Sequence, residues 1–96
     1  MLTGKQKRHL RALAHHLTPI FQVGKGGVSD NMIQQISHAL EARELIKVSV
    51  LQNADIEAEI VATQLGKGTK AEVAQVIGKT IVLYKQSKEN KKIILP

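Results

Sequence analysis

The chain has 96 residues, enough for one small domain with one core and too few for an enzyme built of separate cofactor and substrate lobes. Its 43% hydrophobic and 23% charged residues exclude disorder throughout, and the absence of cysteine excludes disulfides, thiol catalysis and thiolate metal sites while fitting a reducing cytoplasm. The net charge of +6 is segregated: residues 1–28 carry five bases and no acid, residues 29–66 two bases against six acids, and residues 67–96 seven bases against two acids, a pattern that favours a polyanionic partner.

Nothing hydrophobic is long enough to span a bilayer, and the opening "MLTGKQKRHLRALAHH" lacks the apolar core and cleavage site of a secretory signal. A cytoplasmic protein without membrane contact is therefore expected. Thr3 to Leu17 reads as a helix, with Leu10, Leu13, Ala14 and Leu17 at helical spacing and Lys5, Arg8, Arg11 and His15 on the other side. Pro19 stops it, and the short apolar run Ile20 to Val23 predicts a buried strand.

Ser29 is a good N-cap, Asp30 suits the positive end of a helix dipole, and Val28 can staple onto Ile33. Met32, Ile33, Ile36, Ala39 and Leu40 make the apolar stripe of a helix from Asp30 to Arg43. Leu45 to Leu51 alternates as a strand does, and Asp55 is expected to cap a further helix through Leu65 that Gly66 closes. Thr69 and Glu72 match a capping box, but the β-branched run around Gly78 and Lys79 favours a hairpin of Glu72 to Ile77 with Thr80 to Lys85, turned by a type II′ loop. From Gln86 the chain is polar and basic, and residues 86–96 are expected to form a loosely held tail. This element order predicts a two-layer α/β domain with a mixed sheet, spanning 1–96 as one unit.

"VGKGGVS" joins the first strand to the second helix. A dinucleotide fingerprint starting at Gly24 and Gly26 needs glycine where Ser29 stands, and a P-loop ending Gly78-Lys79-Thr80 needs glycine where Val73 stands, so both fail. The remaining pattern, Gly24-Lys25-Gly26-Gly27, is a GxxG loop. It lets a nucleic-acid backbone come close because no β-carbon intrudes and amide N–H groups can face phosphate, although taken alone such a loop is more often a tight strand-to-helix turn. Phe21 and Tyr84 are the only aromatics, so no row of rings offers base stacking, and any grip on RNA acts mainly on its backbone.

The segments "LTGKQKRHLRALAHHLTP", "VGKGGVS", "ALEARELIKV", "QVIGKTIVLYK" and "SKENKKIILP" together resemble the CRM domain (chloroplast RNA splicing and ribosome maturation), in particular its stand-alone bacterial YhbY-like members. The resemblance implies a fold like the C-terminal domain of translation initiation factor three with an additional N-terminal helix, and a four-stranded mixed sheet in the order 1-2-4-3. It also implies binding to ribosomal RNA in precursors of the large ribosomal subunit. By position it puts the RNA contact on Gly24, Lys25, Gly26 and Gly27, supported by the basic first helix with Lys5, Lys7, Arg8 and Arg11; His15 joins them from the same side.

Each candidate has a plainer reading. A basic helix face is usually only solvated, Gly66-Lys67-Gly68 reads as a capping loop, and the tail lysines offer long-range attraction alone. The adjacent His15 and His16 point to different sides of a helix and lack metal-ligand spacing, so no metal and no cofactor are expected. The leading expectation is a monomeric, non-catalytic RNA-binding protein; the alternative is a protein-interaction adaptor whose basic surface meets an acidic partner.

Overall fold

The computed structural model describes residues 1–96. In chain order it contains α1 (Gly4–Ala14), β1 (Pro19–Val23), α2 (Asp30–Arg43), β2 (Leu45–Val50), α3 (Ala58–Thr69), β3 (Glu72–Ile77) and β4 (Thr80–Tyr84). The expected series of helices and strands is present, and the ambiguous segment is the hairpin. Gly78 takes φ 56° at the first loop position, as a type II′ turn requires.

The four strands form one mixed sheet in the order β1-β2-β4-β3, with β1 parallel to β2 and the other two pairings antiparallel. The two expected layers are this sheet and the α2/α3 pair. Val23, Ile46, Val48, Val50, Ile81 and Leu83 point to that side and pack with Ile36 and Leu40 of α2 and Val61 and Leu65 of α3. The alternate residues of the same strands face the other way, where Leu45, Val82, Tyr84 and Ala74 meet Leu10 and Ala14 of the additional helix α1. Alternation in β4 thus serves two cores, which is why Ile81 to Tyr84 is buried without a break.

The expected buried first strand is instead an edge strand in which only Val23 is buried. The helix boundaries differ from expectation more than the strand ends, which move by one residue. Helix α1 ends at Ala14 and not at Leu17, since Pro19 opens the edge strand β1 and disfavours helical backbone before it. Leu17, beyond the helix, is about 36% exposed, and Leu13, within it, is about 40% exposed rather than packed. Helix α3 begins at Ala58, not at Asp55, because Ala54 is drawn into the core and its N–H donates to the Leu51 carbonyl in a turn.

The same helix also runs on through Gly66, Lys67 and Gly68, which are not a capping loop; it stops at Lys70, in the left-handed conformation at φ 59°. Gly68 is there for packing. A β-carbon on it would stand 2.5 Å from Ile33 Cδ1, so glycine permits the close approach of α3 to α2.

The tail is the largest departure. Residues 86–96 have no regular structure, yet they are fastened by two carboxylates rather than loosely held. Glu41 accepts from the Ser87 hydroxyl at 2.6 Å and from the Lys88 and Glu89 N–H groups at 2.9 Å. Glu44 accepts from the N–H groups of Ser87, Lys92 and Ile93 at 2.8, 2.6 and 2.8 Å. Beyond this clamp Ile93 and Leu95 pack under α1, and the Gln6 side chain donates to the Pro96 carbonyl at 3.2 Å.

Candidate nucleic-acid interface

The GxxG loop is a short span pinned on both sides. Val23 is fully buried and its carbonyl accepts from Leu51 N–H at 2.9 Å, while Val28 packs against the core and the Ser29 hydroxyl accepts from Met32 N–H at 3.1 Å to cap α2. Between these anchors the Gly27 N–H donates to the Gly24 carbonyl at 3.0 Å, closing a turn with Lys25 and Gly26 exposed at its tip. The N–H groups of Lys25 and Gly26 have no acceptor within the protein.

The three glycines of this loop are not equivalent. Gly27 has φ 72°, a conformation that only glycine adopts without strain. Gly26 has no positive φ, and a β-carbon there would meet nothing within 4 Å; at Gly24 it would make an ordinary 3.5 Å contact with Leu51. The turn therefore needs Gly27. Packing and backbone give no reason for glycine at 24 or 26.

On α1, Thr3 and Gln6 form a capping box, with mutual bonds of 3.0 and 3.1 Å. Lys5, Arg8, Arg11 and His15 are exposed, as the helical spacing implies. Lys7 is different: half-buried, it lines a cleft with Ala62, Gly66 and Lys67 against α3. The predicted basic set is thus divided. Arg11 and His15, one turn apart, overlook a groove floored by Lys47, Gln75, Thr80 and Val82. Lys5 and Lys7 belong to the other end of the helix.

Strand register relates this groove to the loop. Val23 pairs with Val50, Ser49 with Thr80, and Thr80 with Ile77, so the ends of β1, β2 and β3 and the start of β4 share one end of the sheet. The GxxG loop leaves from that end, and the Val50 N–H donates to the Lys79 carbonyl of the hairpin turn at 2.7 Å. The C-terminal half of α1 leans toward it. Lys47, Gln75 and Thr80 escaped the sequence reading: strand alternation pointed Lys47 away from the main core, but nothing local said that α1 would lie over that face and stop short.

The electrostatics are one-sided. No Lys or Arg side chain forms an ion pair with Asp or Glu; the one ion pair joins the N-terminal ammonium of Met1 to Glu72 at 3.2 Å. The acids are occupied elsewhere. Backbone N–H groups and the Ser87 hydroxyl hold the Glu41 carboxyl at about 2, against an ordinary 4.5. Burial alone would raise Glu44, but three backbone donors outweigh it and leave the carboxyl below its usual range. Tyr84 is pushed up by burial and by the charge of Glu44, and its ring lies in the second core, out of reach of a base. The His15 and His16 rings stand 5.5 Å apart, edge to face. No group of three His, Asp or Glu side chains is gathered as metal ligands, and no helix is long and apolar enough to cross a membrane.

Known proteins share this architecture and sequence. The chain is 71% identical over 96 residues to the Bacillus subtilis protein named probable RNA-binding protein YqeI, covering all of both chains. It is 42% identical over 91 residues to a Haemophilus influenzae protein named RNA-binding protein, covering 94% of this chain and 91% of the relative. The solution structure of the hypothetical protein SAV1595 from Staphylococcus aureus superposes with a TM-score of 0.83 at 59% identity, over the full length of both. The sequence pattern of the CRS1/YhbY (CRM) domain matches residues 2–85, which take in the basic helix, the glycine loop and all four strands, and the chain belongs to that family.

Proposed function

We propose that this chain is a non-catalytic RNA-binding protein that holds ribosomal RNA during assembly of the large ribosomal subunit, acting in the cytoplasm as a monomer. The contact surface is the GxxG loop, Gly24 to Gly27, with Arg11 and His15 of α1 at the same end of the sheet; Lys5, Lys7 and Arg8, whose guanidinium lies by Gly4, add attraction from farther along the helix. One observation carries the reading. The glycines at 24 and 26 and the two free N–H groups at the loop tip have no use inside the protein, and a phosphate laid on the loop uses all of them. Cations without internal partners supply the long-range attraction. The choice of ribosomal RNA rests on the family resemblance.

Counterion release gives the test. With about four basic side chains on phosphate, log affinity for single-stranded RNA should fall with log salt at a slope near −3. A slope near zero, or tighter binding to acidic protein than to RNA, would favour the adaptor reading instead. Co-sedimentation of tagged protein with large-subunit precursors, and not with mature subunits, tests the assembly role.

A further inference from the structure

The groove between α1 and the uncovered part of the sheet has a use that the loop does not explain. Helix α1 ends at Ala14, and beside its last residues the sheet face at Lys47, Gln75, Ile77, Thr80 and Val82 stays open. That leaves a groove of about 650 Å³, within the range of about 300–1,000 Å³ that accepts a small organic group and far too small for a duplex.

Its lining is selective. Arg11 and Lys47 are cations, His15 adds an imidazole, and no acid is present. The Lys47 ammonium donates to the Leu17 carbonyl at 3.1 Å, which fixes its position and leaves two of its three donors free. Gln75 and Thr80 make no side-chain hydrogen bond within the protein, so an amide and a hydroxyl face the groove unspent. Ile77, 61% exposed, contributes an apolar patch at the rim. Two cations beside two neutral groups that donate and accept match a phosphate attached to a polar, planar body.

The geometry points to a single unpaired nucleotide of the bound RNA, with its phosphate toward Arg11 and Lys47 and its base or ribose hydroxyl on Gln75 and Thr80. This assignment rests on the RNA-binding reading and adds to it that the protein selects single strands. Continuity with the loop supports it. Ser49 is opposite Thr80 and Val23 opposite Val50, so the groove lies two strand spacings, about 10 Å, from the strand that carries the GxxG loop. A strand gripped by its backbone at Gly24 to Gly27 reaches the groove with its next nucleotides.

The test uses the full chain, a single-stranded ribosomal RNA oligonucleotide and a duplex of the same sequence. The double variant Gln75→Ala with Thr80→Val removes two uncharged hydrogen-bonding groups, and valine keeps the strand preference of β4. Single-strand affinity should fall about 30-fold, the sum of two ordinary hydrogen bonds, with the salt slope unchanged. Duplex affinity should hold within about twofold.

Equal binding of the single strand by wild type and variant, or equal losses on both RNAs, overturns the groove. Should the double variant melt early, Gln75→Glu is nearly isosteric and sets a carboxylate among the cations. It should weaken single-strand binding as much, and unchanged binding again overturns the assignment. If wild type binds neither RNA, the RNA-binding reading falls and the groove with it; wild-type binding with a full salt slope but no response to the groove variants removes the groove alone.

Discussion

The two ends of the sheet solve the same chemical problem in opposite ways. At one end, backbone N–H groups of residues 87–93 converge on Glu41 and Glu44, and the protein supplies its own anions. At the other end, the N–H groups of Lys25 and Gly26 face outward with no carboxylate near them in the hydrogen-bond network. The first arrangement is finished and structural. The second is unfinished, and on the proposed reading a phosphate completes it. The comparison also explains the charge segregation: two acids of the middle block are consumed in holding the basic tail by its backbone, which leaves the tail's lysines and those of α1 without internal partners.

The strongest way to break the comparison is Glu44→Gln. Glu44 is fully buried and accepts through both oxygens, so its amide replacement keeps one acceptor but turns an NH2 toward at least one of the three N–H groups. The expected loss is about 3 kcal/mol of stability, with the tail released. RNA affinity should stay within about threefold, because the clamp and the loop lie at opposite ends of the sheet and share no partner. Urea melts and binding isotherms on the same variant separate the two effects; a large loss of RNA binding with an intact melt would mean that the clamp itself is part of the interface.

Gly26→Asp attacks the open end. A β-carbon at this position meets nothing and φ is unremarkable, so the melt should match wild type within about 0.5 kcal/mol. The added carboxylate imitates what the clamp does at the other end and occupies or repels the phosphate position. RNA affinity should fall about 10-fold, roughly 1.4 kcal/mol. Wild-type affinity in this variant would make the loop a turn and nothing more. Gly27→Asp is a poorer probe, since φ 72° adds strain to any binding effect.

The same contrast shows what a sequence can disclose. The strands and helices were legible because burial on two sides of one sheet writes a period of two into β2 and a helical stripe into α2. The loop was legible because glycines cluster there. The clamp was not, since Glu41 and Glu44 find partners 43 to 49 residues away and the tail's composition reads as solvated. The end of α3 was misread for a related reason: Gly66 and Gly68 look like punctuation, but the need for glycine at 68 comes from Ile33 on another helix. Lys7 is a different case. It shares the i, i+3, i+7 stripe with the buried Leu10 and Ala14, so the spacing already placed it beside the core, and the run of bases around it obscured this.

Acid sharpens the comparison from the clamp side. Glu41 is held at about 2, below its ordinary 4.5, and Glu44 is lowered in the same direction. A carboxyl whose folded value is depressed lends stability that is complete above its unfolded value and lost as pH falls toward the folded one. The melting temperature should therefore be flat from pH 7 to about 5.5 and decline from about 4.5 toward 2, with a shallower decline in Glu44→Gln. Equal declines in both proteins would assign acid sensitivity to other carboxylates.

The smallest expected effect tests how the basic helix is divided. Arg11 overlooks the groove at the loop end, whereas Lys7 is half-buried in the cleft against α3, beside Lys67. Both carry one positive charge, so a purely long-range attraction treats Lys7→Ala and Arg11→Ala alike. Contact does not. A guanidinium on phosphate contributes a directional, charge-assisted bond, and its removal should weaken single-stranded RNA binding about fivefold and reduce the salt slope by nearly one unit. Lys7→Ala should cost less than about twofold and leave the slope unchanged, because a charge turned toward another helix releases no counterion from the RNA. Equal losses and equal slopes would show that α1 acts as a diffuse positive field; the unequal result ties the helix to the end of the sheet where backbone N–H groups still lack an anion.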